Sequence, residues 1–178
     1  MGTLPPRRVY WDSCTFLGLI KPEPERVNDC LIVWKEGEDN RTLIFTSFFT
    51  FTEVIKVKCG APAQALDDEG DQRIEQLLSQ AWIQPAVLDR AIAVAARRAM
   101  RLYPQCKKPS DAIHLATACA LNVDEMHTFD GSDLLKLDGK VMRADRQMLT
   151  ICKPRKAPEP PEPSPAPNSN QTDWLSNG

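Results

Sequence analysis

The stretch "PSDAIHLATACALNVDEMHTFDGSD", residues 109–133, decides the fold, because it joins an Ala-rich helix to a short β-strand. The helix is predicted over "SDAIHLATACALN", with Pro109 before it and Ser110 as its N-cap. The strand is predicted at "EMHTFD". One acid stands at each edge of this unit: Asp111 lies in the first helical turn and Asp130 follows the strand.

The rest of the first 152 residues also alternates between strand and helix patterns. Strands are predicted at "RRVYWD", "TLIFTS", "WIQPAVL" and "RQMLTIC". Helices are predicted at "PEPERVNDCLIVWKEG", "FFTFTEVIKVK" with Ser47 as N-cap, "DQRIEQLLSQA" and "DRAIAVAARRAMRLY". Strands separated by helices indicate an α/β protein, a three-layer α/β/α sandwich with a central parallel sheet of about four to five strands.

The last part of the chain has a different composition. Seven of the 15 prolines lie in "PRKAPEPPEPSPAP", residues 154–167. Such a composition cannot form a packed core, and it favours disorder or polyproline II. We therefore predict one domain over residues 1–152 and a disordered Pro-rich tail over residues 153–178.

Composition limits the classes of function. The formal net charge is −2, so no overall positive field marks the chain as a nucleic-acid binder. A nucleic-acid partner would need a local basic patch or metal ions. The six cysteines include no C-x-x-C pair, and neither an apolar leader segment nor a run of 18 apolar residues is present. These features predict a cytoplasmic protein with reduced thiols and no membrane association.

Four acids are predicted near the carboxyl edge of the parallel sheet, where open α/β proteins bind their ligands. They are Asp12, Glu53, Asp111 and Asp130. Each has an ordinary alternative, such as a helix cap for Asp12, an ion pair with Lys56 for Glu53, or a turn at Asp130. Carboxylates at a core edge are costly unless they are paired or bound to a cation.

Clustered carboxylates without histidine or thiolate suit a hard divalent cation, Mg²⁺ or Mn²⁺. Such ions serve phosphoryl chemistry, because they lower the pKa of a bound water and stabilise a leaving oxygen. The four acids together therefore favour a metal-dependent phosphoryl-transfer enzyme.

Four segments of the chain resemble the PIN-domain family, the metal-dependent ribonucleases that include VapC-type toxins. They are "VYWDSCTFLGLI", "IFTSFFTFTEVIKV", "KKPSDAIHLATACALNV" and "MHTFDGSDLLKL", in the order and approximate spacing of the family. The resemblance covers residues 8 to about 152 and leaves out the Pro-rich tail. It implies a PIN-like nuclease domain.

The resemblance also implies roles for individual residues. Asp12, Glu53, Asp111 and Asp130 would form the catalytic, metal-binding cluster, and Asp133 would be an additional metal-binding acid or else a helix-start residue. Ser13 matches a small hydroxyl beside the metal site, and Cys14 stands where relatives often have Ser or Asn. His114 is interpreted as a core histidine, because two-metal hydrolysis does not require it, with a catalytic base as the alternative. His127 lies within a predicted strand and is interpreted as structural.

An RNA substrate would need positive charge near the acids. Lys107 and Lys108 lie four and three residues before Asp111, and Arg97 and Arg101 lie on the preceding helix. These side chains are predicted to contact phosphates, which gives affinity without sequence choice. A basic face exposed to solvent is the alternative.

The leading hypothesis is an endoribonuclease dependent on Mg²⁺ or Mn²⁺. The resemblance implies the toxin of a toxin–antitoxin pair, with a cognate antitoxin as a partner and a homodimeric assembly. A catalytically inactive PIN-like interaction module is the main alternative. A phosphatase of the haloacid dehalogenase type is disfavoured, because its second motif acid would fall at Cys14.

Overall fold

The fold is taken from a computed structural model that describes residues 5–20, 24–54 and 68–158. Its elements in chain order are β1 Arg7–Trp11, α1 Ser13–Ile20, α2 Pro24–Glu38, β2 Thr42–Ser47, α3 Thr50–Glu53, α4 Asp68–Leu78, β3 Ile83–Ala86, α5 Arg90–Leu102, α6 Pro109–Ala120, β4 Glu125–His127, a 3₁₀ helix Leu134–Leu137, and β5 Thr150–Cys152. The predicted strands and most of the predicted helices are present.

The five strands form one parallel sheet in the order β3-β2-β1-β4-β5. Val9 of the central strand is paired with Ile44 of β2 on one side and with Glu125 of β4 on the other. The chain therefore builds the sheet outward from β1 in both directions. The carboxyl ends of β1 and β4 flank the point where the order reverses, which is where open α/β sheets bind ligands.

Two apolar clusters cover the two faces of the sheet. Tyr10 packs with α5 and α6, whereas its neighbours Val9 and Trp11 pack with α1, α2 and α4. All three side chains are completely buried. Because successive strand residues point to opposite faces, this alternation along β1 produces the three-layer sandwich that was predicted.

Some local predictions are wrong. "SCTFLGLI" is helix α1, which was not among the predicted helices, although the cap considered as an alternative for Asp12 implied a helix there. Ser47 is not an N-cap: β2 continues through it, and the one-turn helix α3 has Phe49 as its N-cap and ends at Glu53. The remainder of the helix predicted at "FFTFTEVIKVK" includes residues 55–58, which lie outside the described residues.

The predicted N-cap of α6 is also wrong. The helix begins one residue earlier, at Pro109, and Lys108 is the N-cap without a capping side-chain hydrogen bond. Pro109 at the first helical position explains the shift, because its fixed φ is already helical and it has no N–H to leave unsatisfied. Ser110 consequently lies inside the first turn.

The first part of the predicted tail contacts the domain. The Arg155 guanidinium donates to Glu125 Oε1 over 2.8 Å, and the Ala157 amide donates to Glu36 Oε1 over 2.9 Å. Pro154 is buried. The predicted boundary at residue 152 stays a prediction, and residues 159–178 lie outside the described residues. Among the helices that are described, none has the length and apolarity to span a bilayer.

Replacing Gly37 by Ala should destabilise the fold. A Cβ on Gly37 would lie 2.5 Å from Trp82 Cδ1, so the indole ring would have to move. Trp82 packs edge-on against Trp34 at 5.3 Å, which limits that movement. We expect a loss of about 1–3 kcal/mol in the free energy of unfolding, measured by urea denaturation. Gly131→Ala is the control, because a Cβ there meets nothing within 4 Å.

Candidate metal centre

Three of the predicted site acids converge on one point. Asp111 stands in the first turn of α6, and Asp130 and Asp133 lie in the loop after β4. Each offers a carboxylate oxygen, and the three oxygens lie within 4.8 Å of one another. The Lys108 ammonium is shared among them, at 3.5 Å from Asp111 and 3.4 Å from both other acids.

Asp111 and Asp133 are both largely buried, at 9% and 6% exposed. The Asp111 Oδ2 accepts no hydrogen bond from any described residue, and the Lys108 ammonium lies 3.5 Å from it. Burial raises the pKa of Asp111; the Lys108 charge opposes this, and the negative charges of Asp130 and Asp12 add to it. The ionised form of the Asp111 carboxyl is therefore less stable here than in water.

Asp130 is oriented by its own loop. Its Oδ1 accepts hydrogen bonds from the backbone amides of Ser132 and Asp133, at 2.9 and 3.0 Å, and from the Ser132 hydroxyl at 2.6 Å. Although burial raises the pKa of Asp130, these bonds lower it below its usual value. They also leave Oδ2 beside Lys108. Asp130 therefore stabilises its turn through Oδ1 and faces the other two acids and Lys108 through Oδ2.

Asp12 is not among the three converging acids, although its negative charge acts on Asp111, and it has a structural role. Its Oδ1 accepts from the backbone amide and the hydroxyl of Thr15, both at 2.9 Å, so Asp12 caps α1. Its Oδ2 accepts from the Thr128 hydroxyl, and the Cys14 thiol donates to the carboxylate at 3.0 Å. Burial, followed by the Asp12 charge, raises the pKa of the Cys14 thiol, which therefore stays protonated.

Glu53, the last residue of α3, completes the acidic edge. Its Oε2 accepts a hydrogen bond from His114 Nε2 at 2.6 Å, and the nearby hydroxyls of Ser13 and Ser110 help to lower the pKa of the carboxyl. Burial raises the pKa of Glu53, but the hydrogen bond from His114, the positive charge that this ring carries when protonated, and the nearby hydroxyls lower it by more, so the net shift is downward. Ser13 is therefore close to Glu53.

The predicted phosphate-binding residues divide into two groups. Lys108 contacts three of the acids directly. Lys107, Arg97 and Arg101 are exposed, and no contact with the acids is described for them. Their assignment to RNA binding stays a prediction.

A second group of potential ligands lies among the described residues, at Glu125, His127 and Cys152. Its hydrogen bonds disfavour a metal. The Trp11 indole N–H, which can only donate, donates to His127 Nδ1 at 3.1 Å, so the proton of the neutral ring is on Nε2. That proton is donated to Glu125 Oε2 at 3.0 Å. Arg7 and Arg155 already neutralise Glu125.

The centre at Asp111, Asp130 and Asp133 fits a hard divalent cation better. It offers only carboxylate oxygens, the ligands that Mg²⁺ and Mn²⁺ prefer. The buried Asp111 Oδ2 makes no hydrogen bond to a described residue and lies 3.5 Å from the Lys108 ammonium, so a bound cation would give it a closer positive partner.

Two features of the centre were missed from sequence. His114 was interpreted as a core histidine, and it is buried, but its partner is a site acid. Its spacing from Asp111 was the available signal, because residues three apart share a helix face. Lys108 was predicted to contact RNA phosphates, and nothing in the sequence indicated its contacts with three carboxylates.

The protein is an α/β sandwich with acids at the carboxyl edge of its parallel sheet. Comparison with known proteins identifies its family. The family model "PIN domain" matches residues 9–140, well over half of the chain. The chain belongs to the PIN-domain family. No curated protein sequence matches it.

Solved structures share the fold at low sequence identity. One is VapC20 from Mycobacterium tuberculosis, described as a toxin that cleaves the sarcin–ricin loop; it has a TM-score of 0.54 and 12% identity, over 69% of this chain and 90% of VapC20. Another is FitAcB from Neisseria gonorrhoeae, with a TM-score of 0.50 and 17% identity, over 82% of this chain and 97% of that one. These likenesses show the fold alone.

Proposed function

We propose that the protein is an endoribonuclease that hydrolyses RNA phosphodiester bonds with Mg²⁺ or Mn²⁺. The observation that carries this proposal is the convergence of Asp111, Asp130 and Asp133, whose carboxylate oxygens lie within 4.8 Å of one another. Among the described residues, the buried Asp111 Oδ2 has no hydrogen-bond partner and has only the Lys108 ammonium, at 3.5 Å, as an ion-pair partner. Asp12 and Glu53 border the same edge of the sheet. The PIN-domain family membership supports a nuclease.

In this proposal Asp111, Asp130 and Asp133 hold the cation, and Asp12 and Glu53 complete the acidic cluster. The cation supplies an activated water and charge stabilisation for the leaving oxygen. The chain supplies fixed oxygens: the loop amides orient Asp130, and the cap of α1 orients Asp12. Ser13 and Lys108 are positioned to contact the substrate backbone, because both lie against acids of the centre.

We further propose that the enzyme is the toxin of a toxin–antitoxin pair. The support is the fold shared with VapC20, which is described as an RNA-cleaving toxin. A cognate antitoxin would be the protein partner, and the active form would be a cytoplasmic homodimer. Pull-down with the product of a small neighbouring reading frame tests the partner.

The test of the nuclease is cleavage of single-stranded and structured RNAs by the purified protein, with Mn²⁺ or with EDTA. Cleavage with Mn²⁺ that EDTA abolishes is expected. Cleavage that persists in EDTA would contradict the mechanism. If no RNA is cleaved and calorimetry shows no Mn²⁺ binding, the chain is the non-catalytic interaction module instead.

Replacing Lys108 by Met should have opposite effects on metal and on RNA. The ammonium competes with a cation for three carboxylates, so its removal should tighten Mn²⁺ binding roughly three- to tenfold. The same change removes a phosphate contact and should raise the KM for RNA. Isothermal titration with Mn²⁺ and steady-state cleavage kinetics measure the two effects.

Lys107→Met is the matched control, since the neighbouring Lys107 side chain is exposed and no contact with the acids is described for it. It should leave Mn²⁺ affinity unchanged. Weaker Mn²⁺ binding in Lys108→Met would show that the ammonium assists the cation rather than competes with it.

A further inference from the structure

A buried chain of hydrogen bonds runs from the centre of the sheet to Glu53. Tyr10 is completely buried, and its hydroxyl lies 2.8 Å from His114 Nδ1. His114 is 2% exposed, and its Nε2 lies 2.6 Å from Glu53 Oε2. One side chain from β1, one from α6 and one from α3 are thereby linked.

The partners assign the protons of this chain. An ionised carboxylate can only accept, so the His114 Nε2–H donates to Glu53. In the neutral ring Nδ1 then accepts from the Tyr10 hydroxyl. A phenol is protonated at neutral pH, so Tyr10 has a proton to donate.

Glu53 needs support from outside its own element. Helix α3 is a single turn, Thr50–Glu53, and its N-cap makes no side-chain capping hydrogen bond. A helix this short does not hold itself in water. The side chain is only partly buried, at 23% exposed, so packing alone does not fix its rotamer. A short hydrogen bond from a rigid, buried ring supplies the missing constraint.

The chain also ties together the elements that carry the other acids. Tyr10 lies two residues before Asp12 on β1, and His114 lies one turn after Asp111 on α6. Residues that orient a metal ligand commonly affect metal affinity strongly: replacing them typically weakens it by about 10–100-fold.

We propose that His114, held by Tyr10, is a positioning residue that sets the orientation of Glu53 for divalent-cation binding. This rests on the proposed function, because it assigns Glu53 to the metal-binding cluster. His114 acts only through Glu53 and does not touch the cation or the RNA.

The test is Mn²⁺ affinity by isothermal titration, without RNA. His114→Ala should weaken Mn²⁺ binding roughly 10–100-fold. His114→Gln, whose amide N–H can still donate to Glu53, should stay within about fivefold of the unmodified protein. Tyr10→Phe should give a smaller loss than His114→Ala. Circular dichroism and thermal unfolding identify any variant that has lost its fold. If His114→Ala is unfolded, His114→Gln and Tyr10→Phe still test the proposal.

A double-mutant cycle with Glu53→Gln separates positioning from general packing. If His114 acts through Glu53, adding His114→Ala to Glu53→Gln should change Mn²⁺ affinity no further. An equal loss in both backgrounds, or folded His114→Ala with unchanged affinity, would overturn the positioning role alone. Absence of Mn²⁺ binding by the unmodified protein would overturn the proposed function and the positioning role together.

Discussion

Asp111→Asn is expected to lower RNA cleavage by at least about 100-fold while the protein stays folded. Asp111 contributes the buried oxygen that lacks a hydrogen-bond partner among the described residues, and an amide replaces a charged ligand with a neutral one. Replacing a residue that only orients a metal ligand typically lowers metal affinity or activity by about 10–100-fold. Replacing a ligand itself should therefore lower activity by more. Initial rates at saturating Mn²⁺ measure the effect.

The electrostatics of Asp111 predict a second result for the same variant. Burial and neighbouring acids raise the pKa of this carboxylate, so its charge is a cost to folding in the absence of a cation. Asp111→Asn should therefore keep or raise the melting temperature without metal. Asp39→Asn, an exposed acid beside Lys35 and Arg41, is the control and should cleave normally. Full activity of Asp111→Asn would refute the assigned role.

Glu125→Gln is expected to cause the largest loss of stability. Glu125 is 7% exposed, and its carboxylate is contacted by Arg7, Arg155 and the His127 ring. Breaking a buried ion pair by removing one partner costs about 3–5 kcal/mol, and the cost here should be near the lower limit because Arg7 keeps Glu36. For a domain of this size, the melting temperature should fall by roughly 6–12 °C.

The stability lost in Glu125→Gln should become smaller as the pH is lowered. Burial raises the pKa of Glu125, but hydrogen bonds from His127 and Arg155 and the charge of Arg7 lower it well below its ordinary value of 4.5. A carboxyl whose pKa is lowered by folding contributes its full stabilisation at pH values above its unfolded-state pKa. This contribution decreases as the pH falls from the unfolded-state pKa towards the folded-state pKa.

Melting temperatures from pH 7 to pH 3 check this prediction. The difference between the unmodified protein and Glu125→Gln should be constant above the unfolded pKa and shrink below it. Glu75→Gln, at an exposed position of α4, should be nearly neutral at every pH. A difference that grows on acidification would contradict the ion-pair account.

The sheet could be predicted from sequence because its strands are short apolar runs with clear turn signals between them. "RRVYWD" and "TLIFTS" have the β-branched and aromatic residues of buried parallel strands, and they became β1 and β2. Helix α1 was missed because "SCTFLGLI" begins directly after a strand, without a separating loop, so its apolar residues continue those of β1. Periodicity cannot divide such a run.

The position of Asp130 near the carboxyl edge could be predicted because it follows a strand, and the carboxyl ends of parallel strands meet at one edge of a sheet. Asp111 lies in a helix that follows another helix instead of a strand, so this reasoning does not place it. The sequence could not predict which groups hold the acids, since those contacts are long-range. The bond from His114 to Glu53 joins residues 61 positions apart, and the pair of Arg7 with Glu125 joins residues 118 apart. The contact of Arg155 with Glu125 was hidden for another reason: the Pro-rich composition after residue 153 favoured a solvated tail.

The central claim is that Asp111, Asp130 and Asp133 bind a divalent cation at which RNA is cut. Anomalous diffraction at the manganese edge, from crystals soaked in MnCl₂, tests it most directly. The account predicts an anomalous peak between the three carboxylates, with the Lys108 ammonium displaced from them. A peak at Glu125, His127 and Cys152 instead, or no peak at Asp111 in a well-ordered crystal, would contradict it.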